Sequence, residues 1–239
     1  KTVLEKFYDQ LSKLSIDLIY ANSVPTFKSA QELSETTGAK LLCHLHEGKT
    51  MLKLLDRSWL KKKHLIYEFI VPSKLVASDL NKIANCKNVP IHIVRERRAN
   101  VVIKNTIEKD FVIVGGSGTI HWRKGPELFL QVAVHFFKKK PNALVKFQWL
   151  GSIDDETRIV FEDDIEKAQL KGKIEIIGAT KDAIEVFKSF SVFLLTSRED
   201  PYPLVCIENG LLGNPIITFE GATGINETID QGGGVIVPY

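Results

Sequence analysis

The chain has 239 residues, 44% of them apolar and 26% charged, a composition that suits one large globular domain or two small ones. A net charge of +3 is too weak for a nucleic-acid binder, which concentrates Lys and Arg far more strongly. No apolar run approaches the length that a bilayer span requires, and Cys43, Cys86 and Cys206 lack metal-site spacing and read as free thiols of a reducing compartment.

The first part of the chain alternates short apolar runs with amphipathic stretches. Strands are predicted at "IDLIYAN" (16–22), "AKLLCHL" (39–45), "IYEFIVPS" (66–73) and "PIHIV" (90–94). Between the first two, "FKSAQELSETTG" has helical spacing and ends on Gly38 as a C-terminal cap. The second strand runs into His44, His46 and Glu47 at its carboxyl end. Histidines two apart on a strand face the same way, but with no third ligand close by neither a metal nor another cofactor is expected. A buried, hydrogen-bonded histidine is the plain alternative. Next, "TMLKLLDRSWLKKKH" sets Met51, Leu52, Leu55 and Trp59 on one helical face, ahead of a run of lysines. Such a helix either packs on the core or makes a peripheral contact with an anionic membrane.

The polar stretch "RERRANVVIKNTIEKD" (95–110) divides the chain, so domains are expected at 1–105 and 106–239. Beyond it, strands are predicted at "DFVIVGG", "LVKFQWLG", "KIEIIG", "SVFLLTS", "PIITF" and "GVIVP". The helix "GPELFLQVAVHFFKKKP" has Pro126 in its first turn and Pro141 past its end. Strands apolar on both faces and alternating with helices imply parallel sheets covered on both sides: an α/β chain of two Rossmann-like halves. In such sheets ligands bind beyond the carboxyl ends of the strands. The chain starts at Lys1 and stops at "GGGVIVPY", after a strand and before a closing helix, so a fragment is expected.

Two turns in the second half carry chemistry. "GGSGTIHWRKG" follows a strand and precedes a helix, with His121 where a dinucleotide fingerprint would need its third glycine. Gly115, Gly116 and Gly118 would let the backbone approach a ligand, and Lys124 would set a positive charge against a diphosphate. The other turn is "SREDPYPLVCIENGLLGNPIITF" (197–219). With Pro203 as the first helical residue, the N–H groups of Leu204 and Val205 are left for an anion. Glu208, further along the helix, would accept from a vicinal diol, and Asp200 on the turn would hold hydroxyls of whatever the phosphate carries. The competing reading has Asp200 as a helix cap and Glu208 as a solvated or paired surface residue.

This second turn resembles the signature of the group 1 retaining nucleotide-sugar glycosyltransferases: an acid, seven intervening residues, Glu, then Gly-x-Pro and an apolar strand. "DFVIVGGSGTIHWRKGPELFLQVA", "IEIIGATKDAIEVFKSFSVFLLTS" and "GATGINETIDQGGGVIVP" are similar to further parts of that family's donor domain. The resemblance implies a GT-B fold of two Rossmann-like domains, the first incomplete and the second truncated at its end.

It also implies a hexosyl transfer from a UDP- or GDP-sugar to an acceptor hydroxyl, with retention and without a metal, in polysaccharide or glycolipid synthesis. Asp200, Lys124 and His46 would be the catalytic residues, Asp200 on the transferred sugar and His46 as the cleft histidine. Glu208 would hold the ribose, and Gly118, Thr119, Arg123, Lys124, Leu204 and Val205 would line the rest of the donor site. The family usually has Arg where this chain has Thr119, so Arg123 would have to supply the second charge. The partners implied are the donor and a carbohydrate or lipid-linked acceptor, in the cytoplasm or at the inner face of the membrane. A non-catalytic nucleotide- or sugar-binding module is the alternative, and a glycoside hydrolase using Asp200 and Glu208 is the weaker one.

Overall fold

The computed structural model describes residues 7, 8, 10–98 and 111–239. They form two compact units, Lys1–Glu96 and Arg97–Tyr239. The boundary expected at residue 105/106 lies outside the described residues.

In the first unit the strands are β1 (Leu18–Asn22), β2 (Lys40–His44), β3 (Ile66–Val71) and β4 (Ile91–Ile93), all parallel and in the order β1-β2-β3-β4. Helices α1 (Phe27–Thr37), α2 (Lys49–Leu54) and α3 (Lys74–Ala84) connect them. Helix α1 stops where its sequence requires: Gly38 adopts φ 73°, and its N–H donates to Ser34 O at 2.9 Å. Ser73 caps α3 by accepting from the Val76 N–H. The core gathers Phe27, Leu41, Leu45, Phe69 and Leu80, each fully buried.

The amphipathic helix expected over residues 50–64 does not form as one piece. Helix α2 ends at Leu54, and a 3-10 segment with a kink at Lys62 spans Ser58–Leu65. Asp56 breaks the run by turning its carboxylate back to the Ser58 N–H (2.9 Å) and hydroxyl (2.7 Å). Leu52 and Trp59 are buried in their own unit, Lys62 pairs with Glu35, and Lys63 caps the carbonyls of Ala84 and Asn85. Leu52 and Trp59 are therefore spent on the core, while Leu54 is exposed. Among the described residues no helix is long and apolar enough to cross one.

The second unit holds β5 (Val112–Ser117), β6 (Val145–Leu150), β7 (Ile174–Gly178), β8 (Val192–Leu194), β9 (Ile216–Phe219) and β10 (Gly234–Val237). They make one parallel sheet in the order β10-β9-β8-β5-β6-β7. Helices α4 (Pro126–Lys139), α5 (Asp155–Lys167), α6 (Ala183–Ser189), α7 (Leu204–Leu211) and α8 (Asn226–Ile229) link the strands. Apolar side chains fill two clusters. Phe187, Phe190 and Phe193 belong to one, Phe129, Phe147, Trp149 and Leu194 to the other. Adjacent Phe193 and Leu194 thus serve opposite faces, which is why β8 reads as a continuous apolar run.

Candidate active site

The chain leaves β5 toward β6 and β7 and returns to β8 on the other side of β5. Connections from these two neighbours diverge, which opens a crevice at their carboxyl ends. Beyond β5 come Gly118 (φ 145°), Thr119 and a 3-10 turn over Trp122–Lys124, started by His121, whose Nδ1 accepts from the Arg123 N–H at 3.3 Å. Gly125 (φ 64°) ends that turn and starts α4, with Pro126 at the expected first-turn position. Beyond β8 comes the loop Thr196–Asp200.

The two loops are laced together. The Thr196 hydroxyl donates to Lys124 O at 3.2 Å and the Arg198 N–H to Arg123 O at 2.9 Å. The Arg198 guanidinium donates to Trp122 O at 2.7 Å, lies over the Trp122 ring and pairs with Glu127. A Cβ on Gly125 would fall 2.2 Å from Thr196 O, so glycine permits this approach. Arg198 is a positioning residue that sequence reasoning missed, although it stands two places before Asp200.

At the junction, Lys124 Nζ lies 2.5 Å from Asp200 Oδ2. Arg123 Nη1 lies 3.2 Å from Glu199 O and 3.8 Å from Asp200 Oδ1. Asp200 is only 6% exposed and makes no capping bond to α7, so the helix-cap alternative does not hold. Ser197 Oγ, in the same loop, is buried without a hydrogen-bond partner among the described residues.

Helix α7 begins one residue later than expected. Pro203 has φ −70° and ψ 120°, an extended N-cap, and Leu204 is the first helical residue. The Cys206 N–H donates to Pro203 O at 3.1 Å, while the N–H groups of Leu204 and Val205 have no acceptor among the described residues. Burial pushes the Cys206 thiol well up, with Asp200 adding to the rise and Lys124 opposing it. Gly213 (φ 75°) lies past the far end of the helix, where the Asn214 N–H returns to Asn209 O at 2.9 Å. Glu208 is paired, as the competing reading allows, but not solvated: Arg98 Nη2 lies 3.1 Å from its carboxylate and its side chain is 12% exposed. Burial raises its pKa and Arg98 opposes the rise. Arg98 is a second residue that sequence reasoning missed.

The three glycines of the first turn divide by role. A Cβ on Gly115 would fall 2.0 Å from the Phe190 ring, and one on Gly116 would fall 2.7 Å from Trp149 and 2.8 Å from Phe129. Those two positions admit core aromatics, not a ligand. A Cβ on Gly118 would first meet the Lys124 side chain, at 3.0 Å. Thr119 is exposed, and its hydroxyl accepts from Ser152 at 3.0 Å.

In the first unit, His44 and His46 lie side by side, their ring centroids 3.9 Å apart. Glu47 is spent on structure: it accepts from the Ser23 hydroxyl and from the N–H groups of Val24 and His46. Burial, then the neighbouring His46, holds the pKa of His44 below its ordinary value. The expectation that no third ligand lies nearby is overturned. Glu96, just beyond β4, approaches His46 Nδ1 to 3.4 Å, a contact made through the sheet and without any local sequence signal.

The model of the family described as "Glycosyl transferases group 1" matches residues 98–239, more than half of the chain. This chain belongs to the group 1 glycosyl transferases. The chain is 32% identical, over 83 residues, to the amylovoran biosynthesis glycosyltransferase AmsD of Erwinia amylovora; the match covers 35% of this chain and 24% of that protein. Its fold is shared with Anabaena HepE, solved in complex with UDP and glucose, at a TM-score of 0.80 and 16% identity, over 98% of this chain and 67% of that one. The sucrose-phosphate synthase of Thermosynechococcus elongatus aligns with a TM-score of 0.79 and 18% identity, over 98% of this chain and 64% of that one. This group 1 glycosyl transferase chain therefore has the GT-B fold, with two parallel sheets of four and six strands. It spans about a quarter of the curated relative and about two thirds of these solved structures.

Proposed function

We propose that this chain serves an enzyme that moves a hexosyl group from a nucleoside-diphosphate sugar to an acceptor hydroxyl, with retention, in polysaccharide or glycolipid synthesis. One observation carries the reading. Lys124 and Arg123, beyond β5, meet Asp200, beyond β8, and α7, whose first two N–H groups have no acceptor among the described residues, starts four residues after Asp200. Amides at a helix start and fixed cations are what a leaving diphosphate needs, because the charge that develops on it is the main obstacle to bond cleavage.

In this reading the Leu204 and Val205 amides and Lys124 hold the diphosphate, beside Gly118 and Thr119. Arg123 stands in for the arginine that the family usually carries at the position of Thr119. Asp200, oriented by Lys124, takes hydroxyls of the transferred sugar, and His46 serves the acceptor side. Glu208 takes the ribose diol, sharing its carboxylate with Arg98. Cations and amides draw off the leaving group while the acceptor attacks from the same face, so the transfer needs no carboxylate nucleophile. UDP is the nucleotide of choice for a first test, since HepE was solved with it.

The test is thermal unfolding of the chain with UDP, GDP and ADP, alongside Glu208→Ala. We expect one nucleotide to stabilise the chain and Glu208→Ala to weaken its binding about ten- to a hundredfold, the worth of hydrogen bonds to a charged group. Absence of any nucleotide effect, or an undiminished one in Glu208→Ala, would contradict the donor site.

A further inference from the structure

The carboxyl edge of the four-stranded sheet gathers a second set of functional groups: Tyr20 and Asn22 from β1, His44 and His46 from the end of β2, and Glu96 from beyond β4. His46 Nε2 lies 2.7 Å from Asn22 Oδ1. A carbonyl oxygen only accepts, so Nε2 carries a proton, and Nδ1 presents a lone pair whenever the ring carries that proton alone. That lone pair faces Glu96 Oε1 at 3.4 Å. Two acceptors turned toward each other repel unless a cation sits between them. His44 completes the set. Its Nδ1 is engaged by the Tyr20 hydroxyl, while Nε2 is buried and has no partner among the described residues.

One ring nitrogen from each histidine and one carboxylate oxygen of Glu96 lie within 4.8 Å of one another. Around zinc, bonds of about 2.0–2.2 Å place neighbouring ligand atoms about 3.4 Å apart. Side-chain rotations of about an ångström would therefore close the set. Asn22 and Tyr20 already occupy the other ring nitrogens, as outer partners that fix the orientation of metal-binding histidines.

We propose that His44, His46 and Glu96 form a site for a divalent transition cation of the zinc class, two imidazoles and a carboxylate with a fourth position open to water or another ligand. The site lies within the first unit and does not rest on the transferase reading, although it shares His46 with the acceptor side of that reading. No step of sugar transfer is routed through the cation. Its rival is a proton in the same place, which would make His46 an imidazolium paired with Glu96 and leave no affinity for metal.

The experiment uses the untagged chain, stripped with a chelator and titrated with Zn2+ by calorimetry at neutral pH, together with the absorption spectrum of the Co2+ form. We expect one saturable equivalent and a visible Co2+ band. His44→Gln and Glu96→Gln should weaken Zn2+ binding by more than about a hundredfold, and Asn22→Ala about tenfold. His92→Gln, which removes a different histidine–glutamate pair, should leave it unchanged. Circular dichroism checks the folding of each variant; if one is unfolded, the stoichiometry and Co2+ spectrum of the unaltered chain decide. Failure to bind one equivalent, or equal binding by His44→Gln and Glu96→Gln in folded form, would overturn the site.

Discussion

Lys124 and Asp200 depend on each other, and a variant at either one tests both. With Lys124 gone, a carboxylate that is almost wholly buried keeps, among the described residues, only the Arg123 cation, 3.8 Å away. We expect Lys124→Ala to lower stability by about 1–3 kcal/mol, the cost of leaving one buried hydrogen-bonding partner unmatched. If Lys124 draws off the leaving group, kcat should fall about a hundred- to a thousandfold in the fraction that stays folded. A loss of stability without a loss of turnover would make the pair purely structural. Glu208 is tested by pH. Its folded-state pKa stands above the ordinary 4.5, so it gives up its charge at a higher pH than an exposed glutamate does. A ribose diol needs the carboxylate as acceptor, so nucleotide affinity should fall as pH drops through that raised value. In Glu208→Gln the acid limb should vanish. In Arg98→Ala, which removes the opposing charge, it should move to higher pH; a limb that moves to lower pH would place its origin elsewhere.

Elements show what a single sequence can and cannot state. Gly38, Pro126 and the apolar strands were legible because their causes are local: a left-handed residue, a missing N–H and two-sided burial. The 50–64 segment misled because its helical spacing is genuine, yet Asp56 turns back on Ser58 and ends the helix. Gly115 and Gly116 misled for the opposite reason. Their aromatic partners, Phe190, Trp149 and Phe129, come from other elements, and no local pattern separates a glycine that admits a ring from one that admits a ligand. Gly125 ties both kinds of cause together, since it adopts φ 64° and also lets the β5 and β8 loops meet. We expect Gly125→Ala to cost about 1–3 kcal/mol in urea unfolding, from backbone strain and the clash with Thr196 O. It should also weaken nucleotide binding, because Lys124 precedes it directly. Retained affinity would mean that the lacing of the two loops does not set the position of the cation.

Across the molecule, the alternation of strands and helices made both sheets legible, but strand order was not, and strand order is what creates the crevice at β5 and β8. Likewise Asp200, Lys124 and Glu208 are proposed from residue type and spacing, whereas Arg98, Arg198 and Glu96 reach their neighbours only through tertiary packing. The two units also have separate cores. Every member of the first cluster comes from residues 19–86, and every member of the other two from residues 113–229. Cooperative unfolding follows shared apolar burial, so chains with separate cores depart from a single all-or-none transition. We expect scanning calorimetry to resolve two transitions. A nucleotide held by Lys124, Leu204, Val205 and Glu208 contacts only the second core's unit, so it should raise one transition and leave the other in place. At a hundred times Kd that rise corresponds to about 2.7 kcal/mol. Zn2+ should act on the other transition, since His44, His46 and Glu96 all belong to the first unit. If nucleotide moved both transitions equally, binding would have to involve both units, and the assignment of the donor grip to the second unit alone would fail.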